Sequence, residues 1–308
     1  MKKFIFYFLL ILVLSGLGAQ AQEKNISLPE GSKFNFIIIS DYGRNGYYHQ
    51  KEVAGVMGNI AGEGSVRFIV TGGDNFQTSG VESTSDPLWL SSFENIYVNP
   101  SLHVEWYPCL GNHDHGGNIQ AQIDYSKISR RWKMPASYYT LVKTRDDVSI
   151  RLVILDTYPL VKGFGSLDRE YTREDALKQI HWTDSVLTVE KEDWVVVVGH
   201  HPVYSAHPTR HNTEELVEYL NPVMKRHDVD FYIGSHDHIF QHLKDTASKI
   251  DYFVNTAGSQ VRSAAKNNMT VFTASSPGFS IVSATKKDLS IYFINIDGNV
   301  IYKYIRTK

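Results

Sequence analysis

Apolar residues along this chain follow two rhythms. Apolar runs at 34–39, 66–71, 106–110, 194–198 and 231–233, broken by Asn35 and Arg67 in the first two, read as strands that stop at loops. Between and around them, residues 50–61, 87–97, 173–189 and 213–225 repeat apolar positions at close to every 3.6 residues, which predicts helices. Strand and helix in alternation predict one α/β domain. From residue 253 to 304 the rhythm changes to strand-like alternation, clearest at 289–296 and 300–305. Asp297-Gly298 or Gly298-Asn299 between those two runs is a hairpin signal, so the second half is predicted to end in antiparallel strands. The stretch 262–276, rich in Ser, Ala, Asn and Lys, is predicted to be a surface loop.

Each of the five apolar runs stops at residues that bind hard or borderline metal ions. The motifs are Ser40-Asp41-Tyr42-Gly43, Gly73-Asp74-Asn75, Gly111-Asn112-His113-Asp114, Gly199-His200-His201-Pro202 and Gly234-Ser235-His236-Asp237-His238. A strand that ends in a loop delivers its last side chains to the sheet edge, where open α/β sheets place their ligands. Five such ends on one edge would form a metal cage. Oxygens from Asp41, Asp74 and Asn112 with imidazoles from His200, His236 and His238 make a mixed O/N set suited to Fe, Zn or Mn, and no thiolate takes part. Six ligands can fill two sites roughly 3.5–4 Å apart if one carboxylate bridges them. Asp74 is the candidate bridge, and His236 and His238, two residues apart, share a face if the segment is extended.

Composition narrows the partners and the compartment. The net charge of −2 lacks the basic excess of proteins that track nucleic-acid backbones, so small phosphorylated substrates suit the chain better and no nucleic acid is expected. Its 308 residues, 42% of them hydrophobic, are enough for one large core. Lys2-Lys3, an apolar stretch over 4–14 and Ala19-Gln20-Ala21 read as an export signal over residues 1–21. The mature domain is then 22–308, periplasmic or secreted, monomeric, and without stable membrane insertion after cleavage. Cys109, the only cysteine, excludes an internal disulfide and reads as a buried thiol.

Taken in order, Asp41, Gly73-Asp74, Gly111-Asn112-His113-Asp114, Gly199-His200 and Gly234-Ser235-His236-Asp237-His238 resemble the calcineurin-like metallophosphoesterases. Gly72-Gly73-Asp74-Asn75-Phe76, Ile154-Leu155-Asp156-Thr157 and Gly199-His200-His201-Pro202-Val203-Tyr204-Ser205 bring the chain nearest to the small tartrate-resistant purple acid phosphatases. The resemblance implies an α/β (α+β) four-layer sandwich of two mixed β-sheets flanked by helices. It implies Asp41 and His238 on a first metal, Asn112, His200 and His236 on a second, and Asp74 on both. It implies that His113 contacts substrate or protonates the leaving group and that His207 assists. Asp114, next in sequence, reads either as the group that orients the His113 ring or as a turn or cap carboxylate. The cofactor it implies is iron paired with Fe, Zn or Mn. Where the family has a metal-binding Tyr, three residues after the bridging Asp, this chain has Gln77, so the purple chromophore is expected to be missing. His201 stands where the family commonly has Tyr, and Tyr42 matches a non-ligand aromatic position.

Two cations can polarise phosphoryl oxygens and acidify water, so hydrolysis needs no protein nucleophile. The leading function is an exported phosphatase for phosphate monoesters, acting through metal-activated water with His113 as the acid. Two others stand beside it: a phosphodiesterase or nucleotide pyrophosphatase on the same scaffold, and a non-catalytic metal-binding surface protein.

Overall fold

Three of the buried apolar runs lie side by side as parallel strands. A computed structural model describes residues 34–63, 65–164, 171–189 and 192–308, so the export segment over 1–21 and the start of the domain at 22 lie outside the described residues. Strands β1 (Phe34–Ile39), β2 (Val66–Thr71) and β3 (Glu105–Tyr107) pair in parallel, and helix α1 (Gln50–Glu63) makes the crossover between the first two. Every residue of β1 is buried, Asn35 included, which explains a nearly continuous apolar run in place of alternation. The third strand stops at Tyr107 rather than 110, because Pro108 has no N–H to offer a ladder.

The chain then builds a second sheet from β4 (Tyr139–Arg145), β5 (Val148–Ile154), β6 (Trp194–Val198), β7 (Phe231–Gly234), β8 (Phe240–Lys244), β9 (Asp251–Val254) and β10 (Thr270–Ala274). It returns to the first sheet with β11 (Gly278–Ala284), β12 (Asp288–Asn295) and β13 (Val300–Thr307). The strand orders are β13-β12-β11-β1-β2-β3 and β10-β8-β9-β7-β6-β5-β4, both mixed, and helices flank the pair of sheets. In β6 the side chains of Trp194, Val196 and Val198 enter the core between the sheets. Val195 and Val197 face the other way, onto Leu160, Ala176, Ile180 and Leu187 of helices α3 (Thr157–Phe164) and α4 (Arg173–Thr188). Across the sandwich, Phe240 of β8 stacks on Phe293 of β12 with ring centres 4.5 Å apart.

Three predicted elements differ. Residues 87–97 form only a π-helix at Trp89–Glu94. Residues 213–225 split into a π-helix at Leu216–Leu220 and an α-helix at Asn221–Arg226, since Pro222 can neither donate a hydrogen bond nor tolerate the carbonyl one turn back. The 262–276 stretch is not all loop. It contains β10, an edge strand paired only with β8 and mostly half-exposed, whose Thr-rich sequence carries no apolar alternation to betray it.

One buried charge cluster fastens the two ends of the second half together. Asp251, fully buried on β9, accepts from Lys244 Nζ (2.8 Å), Tyr304 OH (2.9 Å) and Arg306 Nη1 (3.0 Å), and lies 3.2 Å from His242 Nε2. Burial alone would raise its pKa, but these donors bring it down from 3.8 to about 2. A carboxyl that titrates lower in the folded chain contributes stability above its unfolded pKa and loses it as pH falls through the folded value. We expect Asp251→Asn to lower the unfolding free energy by about 2 kcal/mol at pH 7. Urea denaturation should show that gap shrinking between pH 4 and pH 2; a gap independent of pH would mean the effect is packing.

Candidate metal centre

The strand ends bearing the five motifs belong to two sheets, so they meet between two facing edges and not along one. Backbone hydrogen bonds bring the loops together: Asp41 N to Gly73 O (3.0 Å), Ser235 N to His200 O (2.8 Å), and Gly258 N to Ser40 O (2.8 Å), the last tying β1 to the segment after β9. Close approach requires glycine at two points. A Cβ on Gly73, whose φ is +90°, would lie 2.7 Å from His200 Nδ1, and one on Gly111 would lie 2.2 Å from Asp74 Oδ1.

All six sequence-derived ligands gather there. Asp41, Asp74 and His238 place donor atoms within 4.8 Å of one another. On the other side of Asp74, its Oδ1 lies 3.4 Å from His200 Nε2, which is 3.2 Å from Asn112 Oδ1 and 3.0 Å from His236 Nδ1. Asp74 is thus the carboxylate common to two clusters. His236 and His238 do not share a face of an extended segment. The chain turns sharply, with Asp237 N bonded to Ser235 O, and each histidine enters a different cluster. Asp41, Asp74, His236 and His238 all have positive φ, between 52° and 67°, a region L-residues occupy at some cost and which clusters at functional sites.

The donor set fits metal ions. His238 Nδ1 donates to Gln260 O (2.6 Å) and His200 Nδ1 to Gly72 O (2.9 Å), so in the neutral rings both Nε2 lone pairs point inward. His238 Nε2 faces Asp41 Oδ1 at 3.2 Å, and that oxygen is buried without a hydrogen bond. His200 Nε2 faces the oxygens of Asn112 and Asp74 in the same way. Acceptors opposed to acceptors inside a protein are an arrangement that cations resolve. Burial would raise the pKa of Asp41, but His238 and His200 hold it well below the usual carboxylate range; burial would lower that of His200, but Asp74 and Asp41 raise it. His236 is pushed well below an ordinary histidine by burial, then by His201 and His200, which keeps its lone pair available.

The remaining candidates separate. His113 is part-exposed, its Nδ1 donating to Thr78 O (3.0 Å) and its Nε2 lying 3.9 Å from Asp74 Oδ2. Thr78 itself has φ 83°, unusual for a β-branched residue, and that conformation delivers the carbonyl to the ring. Asp114 does not orient His113. It is fully buried and accepts from the backbone N–H groups of Gly111, Asn75 and Phe76 and from Gln122 Nε2, which makes it a loop-tying carboxylate; burial, then Asp74, raises its pKa. His207 Nδ1 accepts from the N–H groups of Thr209 and Arg210, so the neutral ring carries its proton on the buried Nε2. Burial and the charges of Arg210, Arg262 and His238 lower its pKa.

Gln77 is held away from ligation. Arg44 Nη2 donates to its Oε1 at 3.0 Å, which turns the amide nitrogen toward Asp74 Oδ2 at 3.4 Å. Tyr42 is buried, with its hydroxyl on Asn75 Oδ1 (3.2 Å). His201 is also buried, bonded through Nδ1 to Thr157 Oγ1 (2.9 Å), with its ring centre 4.6 Å from that of His236. Cys109 is a buried thiol bonded to Leu155 O (3.1 Å), and burial drives its pKa well up. Sequence inspection missed Arg44 and Arg262, while Arg210 lies in the segment 207–211, which reads from sequence as either a phosphate binder or a solvated loop. The only signal for the missed pair was proximity to a motif, as with Arg44 three residues past Asp41.

Residues 34–240 match the family model described as calcineurin-like phosphoesterase. Purple acid phosphatase 4 of Arabidopsis thaliana is 32% identical over 98% of this chain and 91% of its own length. Tartrate-resistant acid phosphatase type 5 of Sus scrofa is 33% identical over 93% of this chain and 90% of its own. Among solved structures, GAP50, described as the anchor in the inner membrane complex of Plasmodium, has a TM-score of 0.79 at 25% identity and covers 89% of both chains.

Proposed function

The chain belongs to the calcineurin-like phosphoesterase family, beside purple acid phosphatases, and from that membership we propose that it is an exported phosphatase acting on phosphate monoesters at a dinuclear metal centre. The observation that carries the proposal is Asp74, the carboxylate between Asp41 and His238 on one side and His200 with Asn112 and His236 on the other. These six residues would hold two ions of Fe, Zn or Mn. Bound there, the ions would neutralise phosphoryl charge and acidify water.

The protein's own groups set the proton traffic. With Nδ1–H committed to Thr78 O, His113 can carry a transferable proton only on Nε2, the nitrogen that faces the centre, and only as the imidazolium. His207, with its proton on Nε2, would serve as a hydrogen-bond donor beside the phosphoryl group. The mixed imidazole and carboxylate surroundings, without a basic nucleic-acid track, suit small phosphorylated substrates, and the protein would work as a monomer.

Elemental analysis of the purified protein, together with turnover of p-nitrophenyl phosphate and bis(p-nitrophenyl) phosphate, tests the proposal. We expect two metal ions per chain and a faster monoester. Preference for the diester would indicate a phosphodiesterase. The likeness to GAP50 supports a second reading, a surface protein that keeps the scaffold without turnover, and that reading predicts neither activity.

Gln77 bears on which metal is held. We expect the protein to show no broad visible charge-transfer band even with iron bound, and Gln77→Tyr to introduce one if the first site holds Fe(III). A purple wild-type protein would require another tyrosine to reach the metal, against the burial of Tyr42 on Asn75.

A further inference from the structure

Arg210 Nη1 and Arg262 Nη1 both donate to one acceptor, the carbonyl oxygen of His236, at 2.9 and 3.1 Å. Two guanidinium groups are therefore held within a few ångströms of each other at the rim of the centre. Arg44 stands on the Gln77 side, with its Nη2 fixed by Gln77 and its Nε buried without a partner. Among the described residues, neither Arg44 nor Arg262 forms an ion pair with a carboxylate. Arg210 Nη1 pairs at 3.9 Å with Asp237 Oδ1, while Ser205 Oγ donates to the other oxygen, Oδ2, at 2.5 Å.

Part of this positive charge is balanced by the centre itself. Burial lowers the pKa of Arg210 and of Arg44 and Arg262 lowers both further; Asp237, then Asp41 and Asp74, act on Arg210 in the opposite direction, as Asp41, Tyr48 and Asp74 do on Arg44. Cations bound by Asp41 and Asp74 would cancel their share of that compensation and leave three guanidinium groups against the single carboxylate of Asp237, a net positive rim, with the Nε2–H of His207 nearby. A guanidinium is a rigid fork of donors that matches phosphate oxygens, and two anchored on one carbonyl are set in place before a ligand arrives.

We propose that Arg210 and Arg262, with Arg44 across the centre, form a subsite for a second phosphoryl group of the substrate, beside the one held at the metals. The favoured substrates are then phosphoanhydrides, in which the two phosphoryl groups share a bridging oxygen, over monoesters with an uncharged leaving group. The proposal rests on the phosphatase reading for its first phosphoryl position.

Calorimetric titration of the metal-loaded protein with methylenediphosphonate and with methylphosphonate tests it, since neither probe is turned over at a phosphorus–oxygen–phosphorus link. We expect the diphosphonate to bind more tightly, with the steeper salt dependence, and the ratio of the two affinities to fall about tenfold or more in the Arg210→Gln/Arg262→Gln variant. An unchanged ratio overturns the proposal. Should that variant fail to fold, Arg262→Lys, which keeps the charge and loses the fork, must still reduce the ratio for the proposal to survive. Turnover of p-nitrophenyl phosphate reads the phosphatase assignment separately: its absence would remove that assignment, while the affinity ratio would still decide whether the arginines hold a second phosphoryl group.

Discussion

Asp74→Ala is expected to leave the protein folded but unable to hold its metals, and to cut monoester turnover by about 10³-fold or more. The reason is position. Asp74 Oδ1 meets His200 and the backbone N–H of His113 (2.9 Å), Oδ2 meets Gln77, and its carboxylate shares a 4.8 Å neighbourhood with Asp41 and His238. Removing it takes one ligand from each cluster. Without metal, the substitution relieves a crowd of buried carboxylates, since Asp74 is among the groups that raise the pKa of Asp114. The metal-free variant should therefore melt no lower than the metal-free wild type, while the wild type alone gains stability when zinc is added. Elemental analysis and thermal denaturation with and without zinc read both effects. Two ions retained with normal turnover would show that Asp74 does not bridge.

Much of this was legible because the strands that carry the site are buried on both sides. Burial of every residue in β1 and β6 forces nearly continuous apolar runs, and a run that stops abruptly at Asp41 or His200 marks both the strand end and the ligand. What escaped the sequence depends on contacts between distant segments. That the ligand loops sit on two sheets rather than one follows from strand order, which the apolar pattern does not encode. Asp114 read as a partner for His113 because it is adjacent in sequence. In the fold its oxygens are consumed by Gly111, Asn75, Phe76 and Gln122, and Thr78, 35 residues away, takes the role of fixing the ring. A single Arg in a loop carries no periodicity, so the convergence of Arg210 and Arg262 on His236 O appears only in three dimensions.

His113→Ala should separate proton donation from metal binding. The ring contributes no atom to either ligand cluster, so both ions should stay and the melting temperature should barely move. What is lost is the Nε2 proton, held at the edge of the centre by the hydrogen bond from Nδ1 to Thr78 O. General acid catalysis typically contributes about 10²–10⁴-fold, and most where the leaving group is a poor one. We expect about 10²–10³-fold lower kcat on an alkyl phosphate, but only a small loss on p-nitrophenyl phosphate, whose phenolate departs without help. A fall of equal size on both substrates would assign His113 to phosphoryl binding alone, and a wild-type rate that climbs steadily through alkaline pH with unchanged metal content would remove the acid role altogether.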